Sequence, residues 1–200
     1  MPVADTDVVV IGAGLMGHGI AQCAAQAGCR VRLWGTSRDE VESAIARIGT
    51  SVAKLHAKGR MAEPPAAVVA RIEPMTDLER CTGAGVYIES VVEKLDVKQQ
   101  IFRRLDALAP ASALIASNTS TIPIARLAAV TRHPDRCLGM HFTSPVPLMP
   151  VAEVIRTAAT TDDAFARGTA FVRALGKEPI AVQKDIPGFV FNRVNLPGTV

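Results

Sequence analysis

The chain has 200 residues, 48% of them hydrophobic and 20% charged, a composition that permits a buried core and excludes a disordered or fibrous protein. A net charge of +3 suits small anionic ligands such as nucleotides, and with only 4% aromatic residues it excludes the basic, base-stacking surface of a nucleic-acid binder. No apolar stretch approaches the ~18 residues a membrane helix needs, and the N-terminus, with Asp5 and Asp7, lacks the form of a signal peptide, so a cytoplasmic protein is expected.

Strand and helix patterns alternate along the chain, which predicts an α/β fold around a mostly parallel sheet. Residues 7–11 predict a buried first strand that runs into Gly12-Ala13-Gly14-Leu15-Met16-Gly17. This is a G-x-G-x-x-G motif set between a strand and a helix, the context that makes it a dinucleotide fingerprint. Gly12 can take the tight turn, Gly14 lets backbone approach a pyrophosphate, and Gly17 lets the helix lie close on the strand. The helix, predicted over 15–27 and stopped by Gly28, offers free N–H groups and a positive dipole end to phosphates. Gly12, Gly14, Leu15, Met16 and Gly17 are the expected phosphate-side residues.

A second strand is expected at 30–34, followed by Gly35-Thr36-Ser37-Arg38. An acidic residue normally ends this strand and accepts hydrogen bonds from the ribose hydroxyls of NAD. Here Gly35 removes that charge. Thr36 and Ser37 offer hydroxyl donors, and Arg38 offers a fork suited to phosphate oxygens. The segment therefore predicts that NADP(H) binds at least as tightly as NAD(H). The alternative is that Ser37 only caps the next helix and Arg38 is only a solvated charge.

That next helix is long, with an apolar stripe of Val41, Ile45, Ile48, Val52 and Leu55, a capping box at Ser37-Arg38-Asp39-Glu40 and an end at Gly59. Pro64 and Pro65 open a short helical piece before a strand near 71–73. Strands are expected over 86–90 and 113–116, with a helix over 94–108 between them. Further strands are expected over 137–142 and 151–155. The segment between these two, with Pro145, Pro147 and Pro150, bars a regular element. A helix capped near Thr160 or Thr161 ends at Gly176, and a strand over 179–183 follows. The expected division is a dinucleotide-binding domain over 1–185 and the start of a second, helical domain over 186–200.

In open α/β sheets, ligands gather beyond the carboxyl ends of the strands. Glu89, Glu93, Ser117-Asn118-Thr119-Ser120 and His141 all fall at such ends. His141 has the side chain best suited to proton transfer near neutral pH, and Glu153 on the next strand is a candidate to orient it. Position alone leaves His141 equally readable as an ordinary core or surface histidine. The Ser117–Ser120 cluster alone reads as a turn or cap, and residues 185–193, with Asn192, as a turn and helix start. His18, His56 and His133 make weaker cases. Cys23, Cys29, Cys81 and Cys137 form no C-x-x-C pair and no metal or disulfide spacing, so buried thiols and no metal site are expected.

Taken in order, these motifs resemble the L-3-hydroxyacyl-CoA dehydrogenase family, including its 3-hydroxybutyryl-CoA dehydrogenases. The likeness rests on residues 10–21, Glu89-Ser90-Val91-Val92-Glu93, Ser117-Asn118-Thr119-Ser120, His141-Phe142-Thr143-Ser144-Pro145-Val146-Pro147-Leu148-Met149, Glu153-Val154-Ile155 and residues 185–193, and it spans nearly the whole chain. The resemblance implies a Rossmann-type doubly wound sheet. It also implies reversible oxidation of a 3-hydroxyacyl-CoA to the 3-oxoacyl-CoA, with hydride passing to NAD, in fatty acid metabolism. It gives His141 the role of general base and Glu153 that of the carboxylate orienting it. Ser120 would hydrogen-bond the reacting oxygen, and Asn192 would position substrate and histidine. Glu93 and Lys98 would stand on the cofactor side, and Ser51 and Lys58 would touch coenzyme A.

The chain departs from the family at Thr143 and Ser144, where an aromatic residue and an asparagine are usual, which changes one substrate contact expected at Ser144. The family also carries a helical C-terminal domain that closes over the substrate and through which full-length relatives homodimerise; this domain is expected to be essentially absent from residues 1–200. Two other readings stay open at this point. One is an enzyme for another hydroxy acid or for an acyl group bound to a carrier protein. The other is a nucleotide-binding module without turnover.

Overall fold

The structure, a computed structural model, describes residues 6–195. At its centre β1 (Asp7–Ile11) pairs in parallel with β2 (Arg30–Trp34) on one side and β4 (Val86–Glu89) on the other. Outside β2 lies β3 (Ile72–Met75), also parallel. Outside β4 follow β5 (Leu114–Ser117) and β6 (Cys137–Phe142), again parallel. Then β7 (Val151–Arg156) turns back antiparallel to β6, and β8 (Glu178–Val182) runs parallel to β7. The order β3-β2-β1-β4-β5-β6-β7-β8 makes one eight-stranded, doubly wound sheet of Rossmann type, as expected. Its direction of winding reverses at β1, and a crevice opens beyond the strand ends there.

Helices cover both faces, which is why the central strands are apolar on both sides. Val8 and Val10 pack into the core under α1 (Leu15–Gln26), α2 (Arg38–Ala57) and α6 (Asp162–Ala174). Val9 and Ile11 point the other way, into the core under α4 (Leu95–Leu108) and α5 (Ile124–Ala128). Each such fully buried side chain contributes roughly 1.5–3 kcal/mol relative to an exposed one. A short α3 (Pro65–Val69) leads into β3, whose Pro74 is tolerated because β3 is an edge strand.

Helix α2 buries Val41, Ile48 and Val52 of the stripe read from sequence, and Ala44 besides, while Ile45 and Leu55 of that stripe are half-buried; Ser37 Oγ caps the helix by accepting from the Glu40 backbone N–H at 3.2 Å. The capping box is not closed as expected. The Glu40 carboxylate reaches past Ser37 and accepts from the backbone N–H and the hydroxyl of Thr36, both at 2.9 Å. Helix α5 and two 3-10 turns, Leu78–Arg80 and Pro134–Arg136, escaped the sequence reading because so few residues show no period. Beyond the expected boundary the chain turns and enters α7 (Phe191–Asn195); residues 196–200, the rest of the expected second unit, lie outside the described residues.

Candidate active site

The turn from β1 to α1 is closed to side chains on two sides and open on the third. Gly12 has φ +111°, and a Cβ there would stand 2.4 Å from the Ser90 carbonyl oxygen. A Cβ on Gly17 would lie 1.7 Å from the carbonyl oxygen of Gly12. At Gly14, by contrast, an added Cβ would meet nothing within 4 Å. Helix α1 starts without a side-chain cap and without an acidic residue in its first turn. Its first N–H groups and positive end are thus left to an anion, and Gly14 keeps the approach clear. These residues fit the pyrophosphate of a dinucleotide. Leu15 and Met16 continue the rim into a cleft that also holds Ser120, His141, Ser144 and Asn192.

The acid–base group is built by strand pairing. His141 and Glu153 are cross-strand partners in the antiparallel β6–β7 register. The His141 Nδ1 lies 2.7 Å from Glu153 Oε2, and its Nε2 lies 3.2 Å from Ser120 Oγ. Since Glu153 is an acceptor, Nδ1 carries the proton and Nε2 faces the cleft. The other Glu153 oxygen accepts from the backbone N–H groups of Val190 and Phe191, at 2.8 and 2.9 Å. Burial alone would raise the pKa of Glu153, but the His141 hydrogen bond and the two N–H donors outweigh it and hold the carboxyl below its usual value of 4.5. Phe189 and Phe191 flank the imidazole, with centroids 5.6 and 6.5 Å away. Phe189 sits at φ 50°, a strained left-handed conformation, and is fully buried against His141.

Around this group the loops are tied together by carboxylates. Glu93 Oε1 accepts from the Thr119 hydroxyl and from the backbone N–H groups of Ser120 and Thr121, at 3.0 and 3.3 Å for the latter two. Burial would raise Glu93, yet Thr119 and Lys98 bring its pKa below the usual carboxylate value. The Lys98 ammonium, only 1% exposed, is held by Glu89 at 2.7 Å and Glu93 at 3.2 Å. Lys98, expected on the cofactor side, thus has its charge committed within the protein. Ser117 donates to the second oxygen of Glu89 at 2.7 Å. Asn118 accepts from the Phe142 N–H at 2.9 Å, and Asn192 donates to the Ser120 carbonyl at 3.2 Å. The sequence reading gave Glu89 no role of its own; its register opposite Ser117 at the tips of β4 and β5 is the signal that marks it.

The remaining expected residues divide. Thr143 and Ser144 line the cleft with His141, and Thr143 Oγ1 is buried without a hydrogen-bond partner among the described residues. Gly35 and Thr36 line a second hollow that adjoins Gly12 and Gly14. Ser37 and Arg38 are not among the residues lining it. Ser37 is used as the helix cap, and the Arg38 side chain, 80% exposed, is paired with Glu42 at 2.6 Å. The donor set expected for a 2′-phosphate is therefore not assembled, because α2 employs it for its own first turn. Ser51, half-buried in α2, and Lys58, its exposed C-terminal cap, are not brought to either hollow. The four cysteines are buried, and no group of metal-ligating side chains forms among the described residues. No helix among the described residues is long and apolar enough to cross a membrane.

Residues 7–186 match the family model of the 3-hydroxyacyl-CoA dehydrogenase NAD binding domain. The chain belongs to this family. It is 40% identical over 191 residues to a probable 3-hydroxybutyryl-CoA dehydrogenase of Bacillus subtilis, covering 95% of this chain and 66% of that protein. A 3-hydroxybutyryl-CoA dehydrogenase of Bradyrhizobium diazoefficiens is 43% identical, with 95% and 65% covered. Among solved structures, the (S)-3-hydroxybutyryl-CoA dehydrogenase of Ralstonia eutropha superposes with a TM-score of 0.91 at 38% identity, over 96% of this chain and 68% of that one. The chain thus spans about two thirds of the length of the relatives it matches.

As an NAD-binding domain of the 3-hydroxyacyl-CoA dehydrogenases, the molecule sets a phosphate cradle at one end of a cleft and an oriented histidine at the other. Glu153 and the Glu93 network hold the histidine side still. This arrangement can remove a proton from a hydroxyl at Nε2 while a dinucleotide lies along the strand ends.

Proposed function

We propose that the protein oxidises a 3-hydroxyacyl-CoA reversibly to the 3-oxoacyl-CoA, with His141 as the base. The observation that carries this reading is the His141 imidazole, fixed by Glu153 at 2.7 Å through Nδ1, with Nε2 turned to Ser120 Oγ at 3.2 Å inside the cleft that begins at the glycine turn. Glu153 selects the tautomer whose Nε2 lone pair faces the substrate, and it stabilises the imidazolium that forms. His141 takes the proton of the 3-hydroxyl, and Ser120 hydrogen-bonds the same oxygen as it becomes a carbonyl. Asn192, anchored on the Ser120 backbone, aligns substrate and histidine. NAD, when bound across Gly12, Gly14 and Gly17, supplies the hydride acceptor for C3.

The substrate is an acyl-CoA, with Ser51 and Lys58 on the coenzyme A side and Ser144 in the acyl cleft. The work belongs to fatty acid metabolism in the cytoplasm. Residues 1–185 hold the dinucleotide, and 186–200 are the start of the family's helical unit, through which full-length relatives homodimerise. NADP(H), the cofactor expected from Gly35, Thr36, Ser37 and Arg38, keeps in its favour the missing acid at Gly35. The commitment of Arg38 to Glu42 speaks against it.

Oxidation of 3-hydroxybutyryl-CoA, measured beside free hydroxy acids and a carrier-bound hydroxyacyl group, tests the reading. A higher kcat/KM on the CoA ester is expected. A preference for either of the other substrates would favour the related-dehydrogenase alternative. Dinucleotide binding without turnover on any of them would favour a binding module.

A further inference from the structure

At the tip of β2, where Gly35 carries no acid, a carboxylate from another element stands close by. Gly35 continues the strand, its N–H bonded to the Met75 carbonyl at 3.1 Å. A Cβ at this position would lie 3.0 Å from Glu40 Oε2 and 2.7 Å from Val41 Cγ2. The space that an acidic side chain on residue 35 would enter is thus already taken, and what takes it includes a carboxylate. Glu40 is no loose surface charge. Its Oε2 accepts both the N–H and the hydroxyl of Thr36 at 2.9 Å, and it stands in the first turn of α2, where the helix dipole favours a negative group. Among the described residues, Oε1 accepts no hydrogen bond.

Glu40 also borders the right hollow. From Gly12 and Gly14 at the phosphate end, the hollow passes Gly35 and reaches Glu40, with Val97 and Ile101 among its apolar walls. A flat, apolar ring suits those walls, and a sugar between such a ring and the pyrophosphate would then face the carboxylate. We infer that Glu40, carried by α2, accepts the adenosine ribose hydroxyls and selects NAD(H) against NADP(H), doing from the helix what an acid at residue 35 would do from the strand. This rests on the dinucleotide reading proposed above.

The physical reason is charge. A vicinal diol can donate to a carboxylate, whereas a 2′-phosphate sets a second negative group against it. The donors that would compensate are committed. Thr36 gives its N–H and hydroxyl to Glu40, Ser37 caps α2, and Arg38 pairs with Glu42 away from the hollow.

Calorimetric titration of the protein with NADH and NADPH, without substrate, tests the assignment independently of turnover. The wild type should bind NADH at least ~10-fold more tightly than NADPH, as expected of one opposed charge near a solvent-facing phosphate. Glu40→Gln keeps an acceptor for Thr36 and loses the charge. It should tighten NADPH roughly tenfold and change NADH by less than about threefold. Glu40→Ala should weaken NADH about tenfold, from the lost hydrogen bonds to the ribose. Arg38→Ala should leave both nucleotides unchanged. Equal or tighter binding of NADPH by the wild type, or an unaltered NADH-to-NADPH ratio in Glu40→Gln, overturns the role of Glu40 while leaving dinucleotide binding intact. Binding of neither nucleotide overturns the dinucleotide reading and this inference together.

Discussion

His141 and Glu153 show how one buried carboxylate serves two ends. One oxygen fixes the imidazole and the other fixes the entry to α7 through Val190 and Phe191. Replacing His141 with Gln should lower kcat by at least ~10²-fold, as for a lost general base, with NADH binding retained in a titration. Glu153→Gln should also lower kcat, and it carries a separate signature in acid. The folded-state pKa of Glu153 lies below 4.5, so the unfolded chain takes up this proton first as the pH falls. The stability it contributes is complete above the unfolded-state pKa and is lost as the pH drops through the lower folded value. Chemical denaturation at a series of pH values should therefore show the gap between wild type and Glu153→Gln narrowing in acid. A gap that stays constant would mean that Glu153 is held by packing rather than by its hydrogen bonds.

Among the elements, α1 and α4 carry the sharpest constraints. The glycines before and in α1 differ in what a methyl group would meet. Gly17→Ala would drive a Cβ into the Gly12 carbonyl at 1.7 Å, so α1 must lift off β1. A loss of about 1–3 kcal/mol in unfolding free energy is expected, with weaker dinucleotide binding. Gly14→Ala meets no atom within 4 Å and should keep its stability within ~0.5 kcal/mol, yet weaken the same binding because the methyl stands in the path of the pyrophosphate. Equal effects of the two variants on stability would refute this division. Helix α4 delivers Lys98 to Glu89 at the tip of β4, both almost wholly buried. Lys98→Met strands a buried carboxylate and should cost roughly 3–5 kcal/mol, and adding Glu89→Gln should recover much of it. Thermal or denaturant unfolding of the single and double variants gives the comparison.

On the scale of the molecule, two cores on opposite faces of one sheet leave the thiols without water. Burial pushes Cys29, Cys81 and Cys137 up to about 11, and Cys23 upward as well. A thiol-reactive dye at about pH 8 should therefore find none of the chain's 4 cysteines in the native protein and all of them in denaturant. Rapid labelling of any one before unfolding would show that the sheet opens locally. The same closed core leaves the cleft as the exposed side. Leu15 at 69% and Val92 at 61% exposure line it, apolar side chains left at the rim of an otherwise polar-tipped cleft.

Much of this was written in local pattern. The alternation of Val8, Val9, Val10 and Ile11, the glycine spacing and the stripe of α2 each follow from a repeat that a few neighbouring residues set, and the structure keeps them with shifts of a residue or two at the ends. The motifs at strand ends were legible for the same reason, since the carboxyl end of a parallel strand is where a ligand can be reached. The strand order offered Glu153 as a partner for His141 and the family likeness added Ser120 and Asn192, but only the tertiary structure supplies the contacts by which they meet. His141 finds Glu153 through an antiparallel register, Ser120 through the adjoining loop, and Asn192 only after the chain has passed β8. It also decided the direction of the long side chains. Glu40 read as a partner of Ser37 and Arg38 as a phosphate fork, but Glu40 bonds Thr36 and Arg38 bonds Glu42. Backbone periodicity is fixed by sequence neighbours, whereas a flexible charged group settles on whichever donor or acceptor folding brings within about 3 Å.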